Sequence, residues 1–452
     1  MKLTVIGTGY LGATHAACMA ELGHEVLGVD VDPVKIDQLS SGETPFFEPE
    51  LDELLQRNLA AGNLSFTTDY KVAADFAQVH FIGVGTPQKA GSGAADTQYV
   101  DAVIDSLVPH LHGQHVFFGK STVPVGTARR LAQRAKRLIE AHPDQSAEVI
   151  VAWNPEFLRE GHAVDDTLRP DRIVLGVEDS HAELATSLAE KVYAKPLAAG
   201  CPFLVMDRQT AELVKISANA FLATKISFIN AVSEVCEAAD ADVTQIAHAI
   251  GLDDWIGPKF LGAGLGFGGG CLPKDIRAFV ARANELGVGK SLRFLEEIDR
   301  INTRRREKVI QLALQLADDK PEHTTVTVLG AAFKPNSDDV RDSPALDVAA
   351  MLHTRGFTTN VYDPVAVENA AKVYPRLSYK LNLSDALDGC DLVIIGTEWE
   401  EFRQMDPVWA KAKVRTASPT IIDARNCLPR QQWIDAGWRI VSLGRSVEER
   451  QQ

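Results

Sequence analysis

The chain has 452 residues, of which 45% are hydrophobic and 24% charged, and its formal net charge is −15. A chain of this length exceeds one hydrophobic core, so two or three domains of ~150 residues are expected in a folded, water-soluble protein. The acidic excess excludes a broad nucleic-acid or anionic-membrane surface, both of which need clustered Lys and Arg, and any anionic ligand must meet a locally positive pocket.

In chain order, the strand-like KLTVIG opens directly after Met1 with no leader pattern, and no apolar run approaches the ~20 residues of a spanning helix. A cytoplasmic location, with no membrane and no nucleic-acid partner, is the expectation. The runs KLTVIG, EVLGVD, VHFIGVG, HVFFGK, EVIVAWN and RIVLGV then alternate with segments of helical period, the rhythm of βαβ units and a parallel sheet. From Asp207 to Ala239 there is neither Pro nor Gly, and the apolar spacing predicts one long helix. Helical spacing continues to Leu316 around a glycine-rich interruption. Strand alternation then returns in TTVTVLGAAFKP, TTNVYDP, DLVIIGTEW and TIIDARN, with the helical SPALDVAAMLHTRG among them. The pair LTVIGTGY and VLGVDVDP is echoed by VTVLGAAF and TNVYDP.

These elements predict an α/β fold of two Rossmann-like doubly wound domains, joined by a long central helix and a helical dimerisation region. The expected divisions are 1–200 for the first Rossmann-like domain, 201–315 for a central helical domain, and 316–452 for the second Rossmann-like domain. A long helix flanked by domains can present one apolar face to a symmetry mate, so a homodimer is expected. The six cysteines (Cys18, Cys201, Cys236, Cys271, Cys390 and Cys427) form no C-x-x-C pair and signal neither a disulfide framework nor a metal site.

Gly7, Gly9 and Gly12 form G-x-G-x-x-G between a strand and a helix. The first permits a tight turn, the second a close approach of pyrophosphate, and the third helix–strand packing. Asp30 ends the next strand, where a carboxylate accepts hydrogen bonds from the ribose hydroxyls of NAD and repels the 2′-phosphate of NADP; Asp32 ranks second, because it lies past the strand end. Thr86 and Thr122 also follow strands and therefore sit at the ligand edge of such a sheet.

A different chemistry gathers later in the chain. NPEFLREG places Glu156 and Glu160 after a strand, Lys215 and Asn219 lie four apart on one helix face, and GFGGGCLPKD sets Cys271 beside Lys274 and Asp275. Oxidising an alcohol to an aldehyde needs only a base and a hydride acceptor, whereas taking the aldehyde to an acid first needs a nucleophile on the carbonyl. A thiolate supplies it, passing through a thiohemiacetal and a thioester. Lys215 and Asn219 would stabilise the oxyanions, Asp275 or Glu156 would order the water, and nearby lysines would favour the thiolate. The surrounding glycines would let the loop wrap a sugar or phosphate.

Together GTGYLG, STVPVG, NPEFLREG, AELVKISANAF, GFGGGCLPKD and GAAFKPNSDDVRDSP resemble the nucleotide-sugar dehydrogenase family, in order along almost the whole chain. The resemblance implies NAD as cofactor and UDP-glucose as the small-molecule substrate, with C6 carried to the carboxylate of UDP-glucuronate at the expense of two NAD. It implies Cys271 as nucleophile with Lys215, Asn219, Asp275, Glu156 and Thr122 in the catalytic set. For the cofactor it implies Gly7, Gly9, Tyr10, Leu11, Gly12, Asp30, Lys35, Thr86, Thr122, Glu160, Lys274 and Arg341. The sugar nucleotide would meet Glu156, Phe157, Leu158, Lys215, Asn219, Phe260, Gly262, Leu265, Gly266, Phe267, Gly268, Phe333, Lys334 and Arg425, the last two supplying positive charge. One position departs: Trp255 stands where relatives commonly have an arginine that reaches the neighbouring subunit's substrate, and the alternatives are a sister dehydrogenase acting on GDP-mannose or a UDP-N-acetylhexosamine, or a non-catalytic NAD-binding protein.

Overall fold

The computed structural model describes residues 1–142 and 146–445; residues 446–452 of the expected last domain lie outside the described residues. The chain divides into two compact units, Met1–Ala218 with Ala281–Gly289, and Asn219–Val280 with Lys290 onward.

The first unit is built on an eight-stranded sheet: β1 (Lys2–Ile6), β2 (Glu25–Val29), β3 (Leu64–Thr67), β4 (Val79–Ile82), β5 (Gly113–Gly119), β6 (Ala147–Trp153), β7 (Ile173–Gly176) and β8 (Phe203–Met206), in the order β3-β2-β1-β4-β5-β6-β7-β8. The pairings are parallel except between β6 and β7, which meet antiparallel at Trp153 and Gly176. β1 and β4 are buried nearly throughout, as a sheet covered on both faces requires. Apolar clusters pack the sheet, one around Leu3, Val5, Met19 and Phe118, another around Ile6, Phe117, Val151 and Trp153. The helices that matter for the site are α1 (Tyr10–Glu21), α2 (Pro33–Ser41), α3 (Thr127–Glu140) and α4 (Ala163–Leu168).

One helix, α5 (Arg208–Ala238), carries the chain from the first unit into the second, close to the expected span. α6 (Leu272–Glu285) follows the glycine-rich loop, and α7 (Arg293–Leu316) leads to the second sheet.

That sheet has six parallel strands: β9 (Thr325–Leu329), β10 (Thr358–Tyr362), β11 (Ser378–Tyr379), β12 (Leu392–Ile395), β13 (Thr420–Asp423) and β14 (Arg439–Ser442), ordered β11-β10-β9-β12-β13-β14. α8 (Pro344–Thr354) covers one face, and a large core around Val328, Leu346, Ile394 and Trp433 packs this sheet, with smaller clusters around Phe267 and Leu295 and around Ile229 and Leu261 elsewhere in the unit. The fold is therefore α/β with two doubly wound sheets, as the alternation of the sequence predicts. In both sheets the strand order reverses beside the first strand, at β1/β4 and at β9/β12, which is where an open α/β sheet binds its ligand.

Candidate active site

At the first reversal point Gly7 has φ +90°, and a Cβ there would fall 2.5 Å from the Val84 side chain. A Cβ at Gly12 would lie 1.7 Å from the Gly7 carbonyl oxygen, so both positions demand glycine, while Gly9 has nothing within 4 Å and leaves the start of α1 open. That open backbone at a helix N-terminus, beside Tyr10 and Leu11, fits a pyrophosphate. Asp30 is buried at the end of β2 and accepts from the Thr8 N–H at 2.8 Å and the Asp32 N–H at 3.1 Å. Burial alone would raise its carboxyl, but the Lys35 ammonium at 3.0 Å and these N–H groups outweigh it and hold Asp30 below the usual carboxylate range. Lys35 is thus engaged with Asp30. Asp32 is spent on capping α2, accepting from the Val34 and Lys35 N–H groups. The cradle fits NAD, and Asp30 is the carboxylate expected to meet the adenosine ribose. Asp30→Ala is expected to raise the KM for NAD roughly 10- to 100-fold, the equivalent of about 1.5–3 kcal/mol for hydrogen bonds to a charged group, with little change in the KM for the sugar. Steady-state kinetics checks this, and an unchanged NAD value would move the contact to Asp32.

The loops after β4 and β5 are tied together, because the Thr86 hydroxyl donates to the Thr122 carbonyl at 2.7 Å and Ser121 to the Val84 carbonyl at 2.6 Å. After β6, Glu156 pairs with Lys215 of α5 at 3.0 Å, their side chains only 13% and 7% exposed. Glu156 also accepts from the Leu158 N–H at 2.7 Å. The Phe157 ring stacks under the Arg172 guanidinium at 3.8 Å and lies 5.6 Å from the Lys215 ammonium. Glu160 is buried near the end of the same loop.

In the second unit Cys271 is the one exposed cysteine of the six. Its carbonyl accepts from the Asp275 N–H at 2.9 Å, so it stands at the N-terminus of α6, where the helix dipole stabilises negative charge. Asp275 is 1% exposed and receives the Asn219 amide at 2.6 Å and the Lys274 ammonium at 2.5 Å. Around the loop, a Cβ at Gly269 would lie 2.7 Å from the Phe333 ring, and one at Gly270 would meet the Arg341 guanidinium, itself paired with Asp339. Lys334 lies 5.4 Å from the Phe333 ring centroid.

The preceding stretch is fixed from both sides. Asn302 accepts from the Phe267 N–H at 2.7 Å and donates to its carbonyl at 2.8 Å, while Leu265 and Phe267 are buried and Gly262 is open. Phe260 takes a left-handed φ of 65° at the start of this stretch. Arg425 donates to the Gly266 carbonyl at 2.8 Å and to the Gly396 carbonyl at 2.7 Å, which brings the loop to the second reversal point. Its Nε also pairs with the Glu398 carboxylate at 3.3 Å, and its Nη2 is buried with no hydrogen-bond partner, which leaves that one nitrogen to offer an anionic ligand. Gly268 packs against the Asp342 carbonyl. Trp255 is 97% exposed, on a turn that Lys225 holds by donating to the Ile256 and Gly257 carbonyls.

Profiles of one family fit the chain in sequence: its NAD binding domain at residues 1–197, its central domain at 209–304 and its UDP binding domain at 327–430. The chain belongs to the UDP-glucose/GDP-mannose dehydrogenase family. A UDP-glucose 6-dehydrogenase of Rhizobium meliloti is 41% identical over 446 residues, covering 98% of this chain and all of that protein. Among solved structures, a UDP-glucose dehydrogenase from Pyrobaculum islandicum is 37% identical with a TM-score of 0.85, covering 97% of this chain and 98% of its own. A UDP-D-ManNAc dehydrogenase from Pyrococcus horikoshii is 25% identical with a TM-score of 0.83, covering 98% and 99%.

For a nucleotide-sugar dehydrogenase the NAD-binding unit holds a further cluster that motif reading passes over. Lys120 is buried, donating to Asn154 Oδ1 at 3.0 Å and to the Tyr193 hydroxyl at 3.3 Å, and Tyr193 donates to the same Asn154 oxygen at 2.6 Å. Burial pushes the Lys120 ammonium down to about 8, with Glu156 opposing the shift and Lys215 adding to it. Lys120 and Asn154 both end strands, and Asn154 opens the loop that carries Glu156, so their positions in GKSTVPVG and WNPEF are the signal that was available. Tyr193, on a distant helix end, gives none.

Proposed function

We propose that this dehydrogenase oxidises UDP-glucose at C6 to UDP-glucuronate, using two NAD per sugar and a covalent Cys271 intermediate. The full-length identity to a UDP-glucose 6-dehydrogenase carries the choice of substrate, and the exposed Cys271 at a helix N-terminus carries the chemistry. NAD, held along Gly7–Gly12 and Asp30, supplies the hydride acceptor for each two-electron oxidation. The chain's own residues do the rest. Lys215 and Asn219, one turn apart on α5, steady the alkoxide at C6 as its proton passes to a water ordered by Asp275 or Glu156. The Cys271 thiolate adds to the aldehyde carbon, and the same two groups hold the resulting oxyanion. After the second oxidation the carbon is a thioester. A water ordered by Asp275 or Glu156 adds to it, the C–S bond breaks, and the acid leaves while the thiolate is restored.

Arg425 and Lys334 meet the diphosphate and the loop from Gly262 to Gly268 lies along the sugar, supported by the unpartnered Nη2 of Arg425 at the second reversal point. The three-part division at 200 and 315 remains our reading of the domains. We read the assembly as a homodimer through α5, because Phe221, Phe228 and Val235 are exposed at seven-residue steps on one face of it. Cytoplasmic work on a soluble sugar nucleotide is consistent with a chain in which, among the described residues, no helix is long and apolar enough to cross a membrane.

The deciding experiment counts NADH formed per limiting UDP-glucose, beside GDP-mannose and UDP-N-acetylglucosamine. Two NADH with UDP-glucose alone are expected. Two with another sugar only would keep the mechanism and make Trp255 the first suspect for altered specificity; one NADH with any sugar would overturn the cysteine pathway.

A further inference from the structure

Two buried glutamates make the same unusual contact at two loops of the first unit. Glu48 accepts from the N–H groups of Gly161 and Ala163, each at 2.6 Å, and also takes the Tyr10 hydroxyl. Glu212 of α5 accepts from the N–H groups of Gly126 and Ala128, again each at 2.6 Å. In both, the two oxygens of one carboxylate are shared between residues i and i+2 where a helix begins, α4 in one case and α3 in the other. Gly161 and Gly126 have φ of +79° and +98°, which turns successive N–H groups into a concave anion-binding nest. The nests face the chain's own carboxylates rather than a ligand. One lies directly after Glu160, the other four residues after Thr122. Arg282, near the end of α6, grips the second loop from another side by donating to the Val125 carbonyl at 3.0 Å.

We propose that Glu48 and Glu212 are positioning residues for the reaction, each acting as a built-in anion that fixes one of the loops bearing Glu156, Glu160 and Thr122. The proposal rests on reading those loops as part of the NAD and substrate site. Through Tyr10, Glu48 also joins the dinucleotide loop to the carboxylate loop. Glu212 offers a readout that a purely structural role would not move. Burial pushes its carboxyl up to about 6, against the lowering pull of the Ala128 and Gly126 N–H groups and of Arg208 and Arg282. Arg208 from its own helix and Arg282 from α6 are the charged groups facing it, and α3 offers it backbone N–H groups. Protonation turns one accepting oxygen into an O–H directed at an N–H, and the loop loses a bond.

The test measures kcat and KM for NAD on the full-length enzyme from about pH 5 to about pH 8.5, for the parent protein and for Glu212→Gln, Glu212→Asp, Glu48→Gln and Thr122→Ala. Rates are normalised to folded protein by circular dichroism and to titratable Cys271. We expect Glu212→Gln to lose about 10- to 100-fold in normalised turnover at neutral pH, the scale of small misplacements in a site, and to lack the acid limb near pH 6 that is expected in kcat/KM for NAD of the parent. Glu212→Asp should recover part of both, and Glu48→Gln should lose turnover while keeping that limb. Arg282→Gln, which leaves the carboxylate in place, reports on the same loop should Glu212→Gln fail to fold, and should lower turnover by a smaller factor. Parent-like normalised turnover with an unchanged limb in Glu212→Gln, or in Arg282→Gln where that is the folded variant, overturns the proposal. If Thr122→Ala is also parent-like, the assignment of the loop to the site falls with it; if Thr122→Ala is impaired while the clamp variants are not, only the positioning role is lost.

Discussion

Cys271→Ser is expected to abolish formation of the acid, lowering steady-state turnover by roughly 10⁴-fold or more, the scale on which removal of a covalent nucleophile acts. Serine keeps the size of the side chain but is a far weaker nucleophile without a neighbouring base. The first oxidation, alcohol to aldehyde, asks nothing of the thiol, so one NADH per active site remains possible, with an aldehyde that semicarbazide should trap. Cys271 is exposed and lies in the second unit, whereas the glycine turn and Asp30 proposed to hold NAD belong to the first. NAD affinity should therefore be unchanged, and Cys271→Ala should behave in the same way. Stopped-flow absorbance at the NADH band together with product analysis checks this. Normal acid production by Cys271→Ala would exclude the thioester route.

The two sheets were legible in the sequence where burial leaves a continuous β-branched run. β1, β4 and β12 are buried on nearly every residue and read as LTVI, VHFI and LVII. The strands that escaped are short or lie towards the margins. β3 and β8 have mixed exposure, β11 is two residues long, and β14 ends its sheet. The antiparallel step from β6 to β7 carries no local signal either, because direction is set by the path of the connection. The long helix was plain from the absence of Pro and Gly.

The echo between the two halves was visible, but its chemical difference was not. Asp363 ends β10 as Asp30 ends β2, and its carboxylate is spent on the N–H groups of Ala331 and Ala332 and on the Trp399 indole. Asp30 sits on the Thr8 N–H in the same way, so that contact is common to both halves, and the second unit differs in offering Arg425 at the neighbouring strand ends. The catalytic candidates were legible because chemistry places unusual residue types in glycine-rich settings. Glu48 and Glu212 were not, since each serves by meeting backbone N–H groups 113 and 86 residues away, a pairing that no local pattern announces.

Lys215→Ala is expected to lower kcat about 10²- to 10³-fold, as loss of a preorganised oxyanion donor does elsewhere, with a smaller change in the KM for either substrate. The same ammonium is asked to act twice, on the alkoxide of the first oxidation and on the oxyanion of the thiohemiacetal, so both half-reactions should slow. Its ion pair with Glu156 adds a second consequence. Removing the lysine leaves a largely buried carboxylate without its counter-charge, which is strongly destabilising in comparable settings. Lys215→Ala should therefore also lower the thermal midpoint, and Glu156→Gln in the same chain should restore part of the stability but none of the rate. Lys215→Arg keeps the charge and loses the compact geometry, so it should recover stability more than turnover. Calorimetry beside single-turnover kinetics separates the two effects. A kcat within threefold of the parent in Lys215→Ala would remove the lysine from the mechanism and leave Asn219, bound to Asp275 at 2.6 Å, as the remaining oxyanion donor on that face of α5.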